Sequence, residues 1–360
     1  MTSLPSPLSL APADYRPTPP PPEVVRCFGI GIVGCGGIVQ QAHLPAYRDF
    51  GYRVVAACDV VEEQARKAAT DFGISFVTTE LDELLARPDV DVIDLAVHAS
   101  QRPALVERIA RAGKPILSQK PFALSFGEAE RMVRICAEAG VPLMVNQQAR
   151  WAPAHRALKL VLESGVLGHL YSVAHVYRSF QDIPGSWYAA LEHFNIVDHG
   201  IHYIDLSRFF SGQTPVRVKA TTTMVPGQAA VSPMIYSILC EYEPERALMT
   251  TLHFNNTVRA PRAHSYDWYL DGTLGSVRAS QTELTLALKD HPEETRVALK
   301  GAWFPDAFGG SMGEMLTALA EGRPPATNGA DNLNSLRIAY AAVESSESGR
   351  AVELASIRGA

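Results

Sequence analysis

The sequence predicts an α/β protein of two domains. A doubly wound, parallel sheet is expected over residues 26–148, and an α/β domain with a large open, mostly antiparallel sheet over 149–360. Three observations lead there. From Arg26 to Gln148 strand-like and helix-like segments alternate, as in successive βαβ units. From Pro215 to about Leu299 strand-like runs follow one another with few helices between them, the pattern of an antiparallel sheet. The length, 360 residues, exceeds what one ordinary core accommodates.

Residues 1–25 form a Pro-rich N-terminal arm ending in Pro19-Pro20-Pro21-Pro22 and a Glu. Its prolines exclude regular helix and favour extended or polyproline structure. It reads as a tail for most of its length, or as an arm across a second subunit. CFGIGIVG, short, apolar and β-branched, is the first strand. Ile38 to Phe50 has helical spacing. RVVAACD is the second strand, and VEEQARKAATDFG a helix closed by Gly73. LDELLARP is a short helix stopped by Pro88. DVIDLAVH is the third strand, RPALVERIARAGK a helix, PILSQKP the fourth strand, FGEAERMVRICAEAG a helix and VPLMVNQQ the fifth strand. The second domain starts with a helix, about Pro153 to Ser164, a strand, HLYSVAHVYRSF, and a helix, Ile196 to Phe210. Seven strand-like runs follow: VRVKATTTMV, SPMIYSILCEYE, RALMTTLHFNN, AHSYDWYLDG, LGSVRAS, ELTLALK and TRVAL. Helices over about Met312 to Glu321 and Asn332 to Ser348 close the chain.

Composition excludes several classes. Hydrophobic residues make up 47% and charged residues 19%, with a net charge of −6. This is a globular profile without the basic surface that nucleic acid or an anionic membrane requires. No apolar run approaches the ~20 residues of a membrane span. The N-terminus lacks an early Lys or Arg and a continuous apolar stretch, so it does not read as a signal peptide. The five cysteines are odd in number and widely spaced, without C-x-x-C. They read as reduced thiols of a cytoplasmic protein, mostly in core packing.

GIVGCGGIVQQAHLPAY, Gly31 to Tyr47, follows a strand and opens a helix. That is the context of a dinucleotide fingerprint. Gly34 permits the tight turn, and Gly36 lets backbone approach a pyrophosphate. The helix start then offers N–H groups and a positive dipole end. The third fingerprint place holds Val39, and Gly37 follows Gly36 directly. Asp59 ends the second strand, where a carboxylate accepts from ribose hydroxyls; it could also cap the next helix. The nearest downstream cations, Arg66 and Lys67, lie well inside that helix. A 2′-phosphate would therefore meet repulsion, and NAD is expected over NADP.

Lys120, in SQKPF just past the fourth strand, lies where doubly wound sheets bind ligands. Pro121 suits a sharp or cis turn that would aim it, although a solvated lysine is the ordinary alternative. NIVDHGIHYIDLSRFF carries Asp198, His202 and Asp205 at i, i+4 and i+7, one face of a helix. A histidine beside carboxylates suits proton transfer. A solvated polar face is one alternative. The other is metal ligation by His193, His199, His202 and Asp198. Zinc needs three or four convergent ligands and adjacent helix positions diverge, so no metal is expected.

GCGGIVQQAHLPAY, SQKPF and DHGIHYID, in this order and with ARWAP and SESGRAVEL, resemble the Gfo/Idh/MocA family of NAD(P)-dependent sugar and polyol oxidoreductases. The resemblance spans nearly the whole chain after the Pro-rich arm. It implies a Rossmann domain and a second domain whose sheet makes oligomer contacts, in a homodimer or homotetramer. It assigns Gly34, Gly36, Gly37, Ile38 and Asp59 to the cofactor. Lys120 matches the family's catalytic lysine, which positions and polarises the reacting hydroxyl. Asp198 and His202 match its Asp and His, with His202 taking the hydroxyl proton as hydride leaves for the nicotinamide. The chain departs from the pattern at three places. Gln119 replaces the usual Glu of E-K-P, VHASQRP replaces T-P-N-x-x-H, and Glu192-His193-Phe194 stands where glycines are usual. His98 is thereby a candidate for the nicotinamide ribose or substrate, or else a packed histidine.

Oxidising a secondary alcohol requires a hydride acceptor held close, a base, and positive charge at the oxygen. The NAD loop, His202 and Lys120 supply these. Arg150, Trp151, Arg178 and His193 are candidates for the wall facing a carbohydrate, where aromatic faces pack on C–H surfaces and Arg or His donates to hydroxyls. Two other readings stand beside a dehydrogenase: an enzyme that retains NAD and cleaves glycosides through transient oxidation, and a non-catalytic NAD-binding sensor.

Overall fold

The structure, a computed structural model, describes residues 8–359; the first seven residues of the Pro-rich arm lie outside them. The chain forms two compact units.

The first unit comprises Pro17–Ala152 and Ala302–Leu333. Its sheet contains β1 (Gly29–Val33), β2 (Arg53–Cys58), β3 (Phe76–Thr78), β4 (Val92–Leu95), β5 (Ile116–Ser118) and β6 (Leu143–Val145), in the order β3-β2-β1-β4-β5-β6. Every pairing is parallel. This is the doubly wound order, whose switch point falls between β1 and β4. β1, β4, β5 and β6 are buried along their full length, as expected of strands covered on both faces. β3 is a sixth strand where the sequence reading has five. It is three residues long and pairs only with β2 at the sheet edge, too short to show any periodicity. The helix Glu62–Phe72 ends at Gly73 with φ 71°, a left-handed cap that glycine adopts freely.

The helix Asp306–Glu321 packs against this sheet's helices, with Phe308, Met312, Met315 and Leu316 in one core with Tyr47, Ile32 and Leu117. The sequence-based division at 148/149 assigns it to the second domain. Its burial partners place it in the first unit instead, an association that chain order does not reveal.

The second unit comprises Pro153–Gly301 and Asn334–Arg358, with the N-terminal residues up to Arg16. Its strands are β7 (Leu170–Arg178), β8 (Arg217–Thr223), β9 (Ile235–Glu241), β10 (Met249–Asn255), β11 (Ser265–Gly272), β12 (Gly275–Ala279), β13 (Glu283–Leu288), β14 (Thr295–Ala298) and β15 (Val352–Glu353). They form a nine-stranded sheet in the order β14-β13-β12-β11-β7-β10-β9-β8-β15. All pairs are antiparallel except β7 with β10. The helices Pro153–Glu163 and Ile201–Ser211 pack on one face, where Val173, His175, Tyr177, Leu252, Phe254 and Trp268 are buried.

The described part of the arm is folded onto its own chain, which corrects both the tail and the no-helix expectations. Pro12–Tyr15 and Pro22–Cys27 are short helices with proline in the first turn, where a missing N–H costs nothing. Tyr15 is fully buried. Arg156 Nε donates to its carbonyl at 3.0 Å, and its hydroxyl accepts from the Lys300 N–H at 3.0 Å. Pro22–Cys27 packs on Asp306–Glu321 in the other unit's core.

Candidate active site

In a parallel sheet all carboxyl ends lie on one edge. In the first unit that edge carries the glycine loop after β1, Asp59 after β2, His98 after β4, Lys120 after β5 and Arg150-Trp151 after β6.

The glycine loop is shaped for backbone contact. Gly34 has φ 90°, and a Cβ there would lie 2.8 Å from Ala96 O, so only glycine makes the turn. A Cβ on Gly36 would meet nothing within 4 Å; the space beside the loop accommodates a pyrophosphate. Gly37 and Ile38 are exposed at the helix start. Their N–H groups precede the first intrahelical bonds, which Val39 and Gln40 make to Gly36 O. Val39, in the third fingerprint place, is fully buried. These features fit NAD.

Asp59 braces this loop. Its Oδ2 accepts from Cys35 N–H at 2.6 Å and its Oδ1 from Val61 N–H at 2.8 Å. A carboxylate oxygen has a second lone pair, so Asp59 retains capacity for ribose hydroxyls. Exposed Val60 and Val61 follow it. Arg66 is paired with Glu62 and Lys67 with Asp71. Burial, then Asp59, pushes the Cys35 thiol up to about 12. Cys58, Cys136 and Cys240 are likewise buried free thiols, so these four are protonated packing residues.

His98 is exposed and caps a 3-10 turn, its Nδ1 accepting from Ser100 N–H at 3.3 Å. Lys120 is half-buried and precedes a cis peptide bond to Pro121. Its backbone is held from two sides. Arg102, itself buried, donates to Val97 O at 2.8 and 3.1 Å, to Lys120 O at 3.3 Å and to Pro121 O. The Lys120 N–H donates to Gln119 Oε1 at 2.7 Å. Gln119 Nε2 lies 3.0 Å from His43 Nε2, His43 Nδ1 2.7 Å from Asp94 Oδ2, and Tyr47 OH donates to that same oxygen at 2.7 Å. The sequence reading missed Arg102, His43 and Asp94. Asp94 alone carries a sequence signal, a carboxylate inside the apolar run VIDLAV; His43 and Arg102 stand among polar neighbours. Arg150 donates to Asp331 Oδ2 at 3.2 Å. Trp151 packs on the unit's core.

In the second unit the Asp/His segment is not one uniform helix, as the spacing predicts. Phe194–His199 is a π-turn that runs into the α-helix Ile201–Ser211. Such π-turns occur frequently at functional sites. Gly200 N–H donates to Asn195 O at 2.8 Å, closing the wide turn. A Cβ on Gly200 would lie 2.6 Å from the Tyr236 hydroxyl, 2.7 Å from Ile196 O and 2.8 Å from Asn195 O. That is the physical reason for glycine between Asp198 and His202. Asn195 pins the turn. Its Nδ2 donates to Pro233 O at 2.5 Å, and its Oδ1 accepts from Asn256 Nδ2 at 2.9 Å. Asp198 and His202 are buried, 9% and 8% exposed, and lie on either side of Gly200. Asp205 is fully buried and serves structure instead. It accepts from Ser335 Oγ at 2.7 Å, and that oxygen accepts from Arg208 Nη1 at 2.9 Å.

Arg178 and His193 sit apart from that pair. Along β7, Val173, His175 and Tyr177 face the helices, so Arg178 falls on the opposite face by period-two alternation. It is exposed and donates to Ala263 O at 3.3 Å. His193 is exposed at the start of the π-turn, its Nε2 3.9 Å from Glu347 Oε1. Among the described residues, no group of three or more His, Cys, Asp or Glu is placed to hold a metal ion, and no helix is long and apolar enough to cross a membrane.

Comparisons with known proteins agree with this architecture. Residues 28–147 match the Gfo/Idh/MocA model described as an oxidoreductase family with an NAD-binding Rossmann fold, and residues 155–278 match the Gfo/Idh/MocA C-terminal domain. The chain is similar to a D-apiose dehydrogenase of Paraburkholderia graminis, 32% identical over 92% of this chain and 91% of that protein. It is also similar to an inositol 2-dehydrogenase of Rhizobium meliloti, 25% identical over 90% of this chain and 98% of that one. Among solved structures, it is similar to an oxidoreductase from Agrobacterium radiobacter in complex with NAD+, L-tartaric acid and magnesium. The TM-score is 0.84 at 28% identity, over 92% of this chain and 99% of that one. With both domain models matched in order and a glycine loop that fits the dinucleotide, the chain belongs to the Gfo/Idh/MocA oxidoreductases, and its cofactor is NAD.

Proposed function

We propose that this oxidoreductase transfers hydride from a secondary hydroxyl of a sugar, glycoside or cyclitol to NAD. The observation that carries the reading is the shared carboxyl edge of the first sheet, where the glycine loop, Asp59 and Lys120 converge. NAD supplies the hydride acceptor when bound. Lys120 holds the hydroxyl and offsets negative charge as its oxygen becomes alkoxide-like. His202 takes the hydroxyl proton, and Asp198 orients His202 or the substrate, contributions typical of general base catalysis being ~10²–10⁴-fold. Relatives named for D-apiose and inositol support polyhydroxylated five- and six-membered rings as the substrate class. The test is NADH formation from NAD with a panel that includes D-apiose, inositol and simple glycosides, with His202→Asn in parallel. Activity that survives His202→Asn unchanged removes His202 as the base.

Asp59 selects the cofactor. A hydrogen bond to a charged group contributes ~1.5–3 kcal/mol, so Asp59→Ser is expected to lower kcat/KM for NAD by roughly 10- to 100-fold, while NADP, poor in the parent, improves relative to it. Steady-state kinetics with both cofactors checks this. An unchanged NAD:NADP ratio contradicts it.

The face of the nine-stranded sheet opposite its helices carries a cross-strand row of Arg278, Tyr269, Ala174, Thr251, Leu239 and Lys219. An apolar centre flanked by cations suits a second copy of this chain. The expected state in solution is a dimer or tetramer. Thr251→Arg at the centre of the row is expected to shift it toward monomer in light-scattering chromatography.

A further inference from the structure

We infer that Asp94, His43 and Gln119 form a positioning relay behind Lys120, in which Gln119 locks His43 as the neutral Nδ1–H tautomer. The relay serves catalysis only if Lys120 acts on substrate as proposed above.

The protonation pattern follows from one group that cannot be reversed. A backbone N–H only donates, so the Gln119 atom 2.7 Å from Lys120 N is the carbonyl oxygen Oε1. The amide's other end, Nε2, then faces His43 Nε2 at 3.0 Å. An amide NH₂ only donates, so His43 Nε2 accepts and carries no proton. The single ring proton sits on Nδ1 and is donated to Asp94 Oδ2 at 2.7 Å. Tyr47 donates to the same oxygen. His43, Tyr47 and Asp94 are fully buried and Gln119 is 7% exposed, so water does not compete for these bonds.

The groups facing the ring leave this as the consistent assignment. Asp94 approaches from β4 and Tyr47 from the next turn of the same helix. Cys35 is close enough to Asp94 to feel its charge, and the helix Asp306–Glu321 presents the Phe308 ring with centroids 4.7 Å apart. A glutamate at 119 would offer two acceptors. One would take the Lys120 N–H; the other would face His43 Nε2, which must then gain a proton, or the carboxyl must keep one. Gln119 thus fixes the lysine's backbone through a buried chain in which every donor meets an acceptor.

The test is ¹⁵N NMR of the histidine-labelled protein, which needs no substrate. The His43 signal is assigned by its loss in His43→Asn or, should that variant not fold, by its selective shift in Gln119→Glu. The expected wild-type signature is a ring protonated on Nδ1 with Nε2 free of a proton. In Gln119→Glu the Nε2 signal is expected to shift as a proton is taken up between the new carboxylate and Nε2. A wild-type His43 that carries a proton on Nε2 overturns the assignment. In turnover with whichever of D-apiose or inositol is oxidised, Gln119→Met is expected to lower kcat by about 10-fold or more, toward the ~10²-fold that a misplacement of about 1 Å costs. KM for NAD should move little. Gln119→Glu should keep activity at low pH, where a proton between residue 119 and His43 supplies the missing donor, and lose it as the pH rises and that proton leaves, a pH profile that a merely structural residue would not produce. If Lys120→Ala is inactive while Gln119→Met keeps full kcat, the relay alone fails; if Lys120→Ala is fully active, the reading of Lys120 fails.

Discussion

Lys120→Ala is expected to lower kcat by ~10²–10³-fold, the range seen when a group that stabilises developing oxyanion charge is removed. The loss should appear in kcat more than in NAD affinity, because Lys120 stands at the end of β5 while the pyrophosphate loop follows β1. Its backbone is fixed by Arg102 and Gln119, so truncating the side chain leaves the loop intact and the variant should fold. Lys120→Arg keeps the charge but not the compact ammonium and should recover only part of the rate. Stopped-flow NADH formation with equilibrium NAD binding separates the two quantities. A Lys120→Ala enzyme with wild-type kcat would exclude the lysine from chemistry.

The second large effect is expected from Gly200→Ala. The added Cβ would sit within 2.8 Å of two carbonyl oxygens of the π-turn and 2.6 Å from the Tyr236 hydroxyl. Overpacking of this kind costs ~1–3 kcal/mol, or roughly 2–4 °C in Tm per kcal/mol for a unit of this size. The turn has to open to relieve the contact, moving Asp198 against His202, so kcat should fall alongside Tm while NAD affinity holds. The Tyr236 hydroxyl is buried with no hydrogen-bond partner among the described residues. Tyr236→Phe in the Gly200→Ala background should therefore recover part of the stability by removing one of the three contacts. A Gly200→Ala protein with unchanged Tm and kcat would mean the turn accommodates a side chain.

Much of this architecture is legible in the sequence because its signals are local. The buried strands, the alternation with helices, the glycine loop and the D-x-G-x-H segment each announce themselves within about 15 residues. What was missed depends on contacts through space. β3 is a three-residue edge strand defined by its pairing with β2. The helix Asp306–Glu321 belongs to the first unit because Phe308 and Met312 find partners there. The prolines at residues 12 and 22 start helices because the first turn needs no N–H from them. At the site, Asp205 shares the spacing of Asp198 and His202, yet Ser335 claims its carboxylate. Arg178 reads as a sugar contact by residue type, but strand parity turns it to the other face. Lys120 is held by Arg102, 18 positions away, and by Gln119, which is itself held by His43, 76 positions from it, distances no local pattern spans.

The central claim is net hydride transfer from a carbinol carbon to NAD. Its most direct test uses the active panel member deuterated at the reacting carbon, with product and cofactor quantified together. One deuterium in NADH per molecule of ketone formed, at a rate lowered ~10²-fold or more in Lys120→Ala and His202→Asn, is the result this account requires. Product formed without accumulation of NADH would contradict it and establish a cycle in which NAD is retained and regenerated.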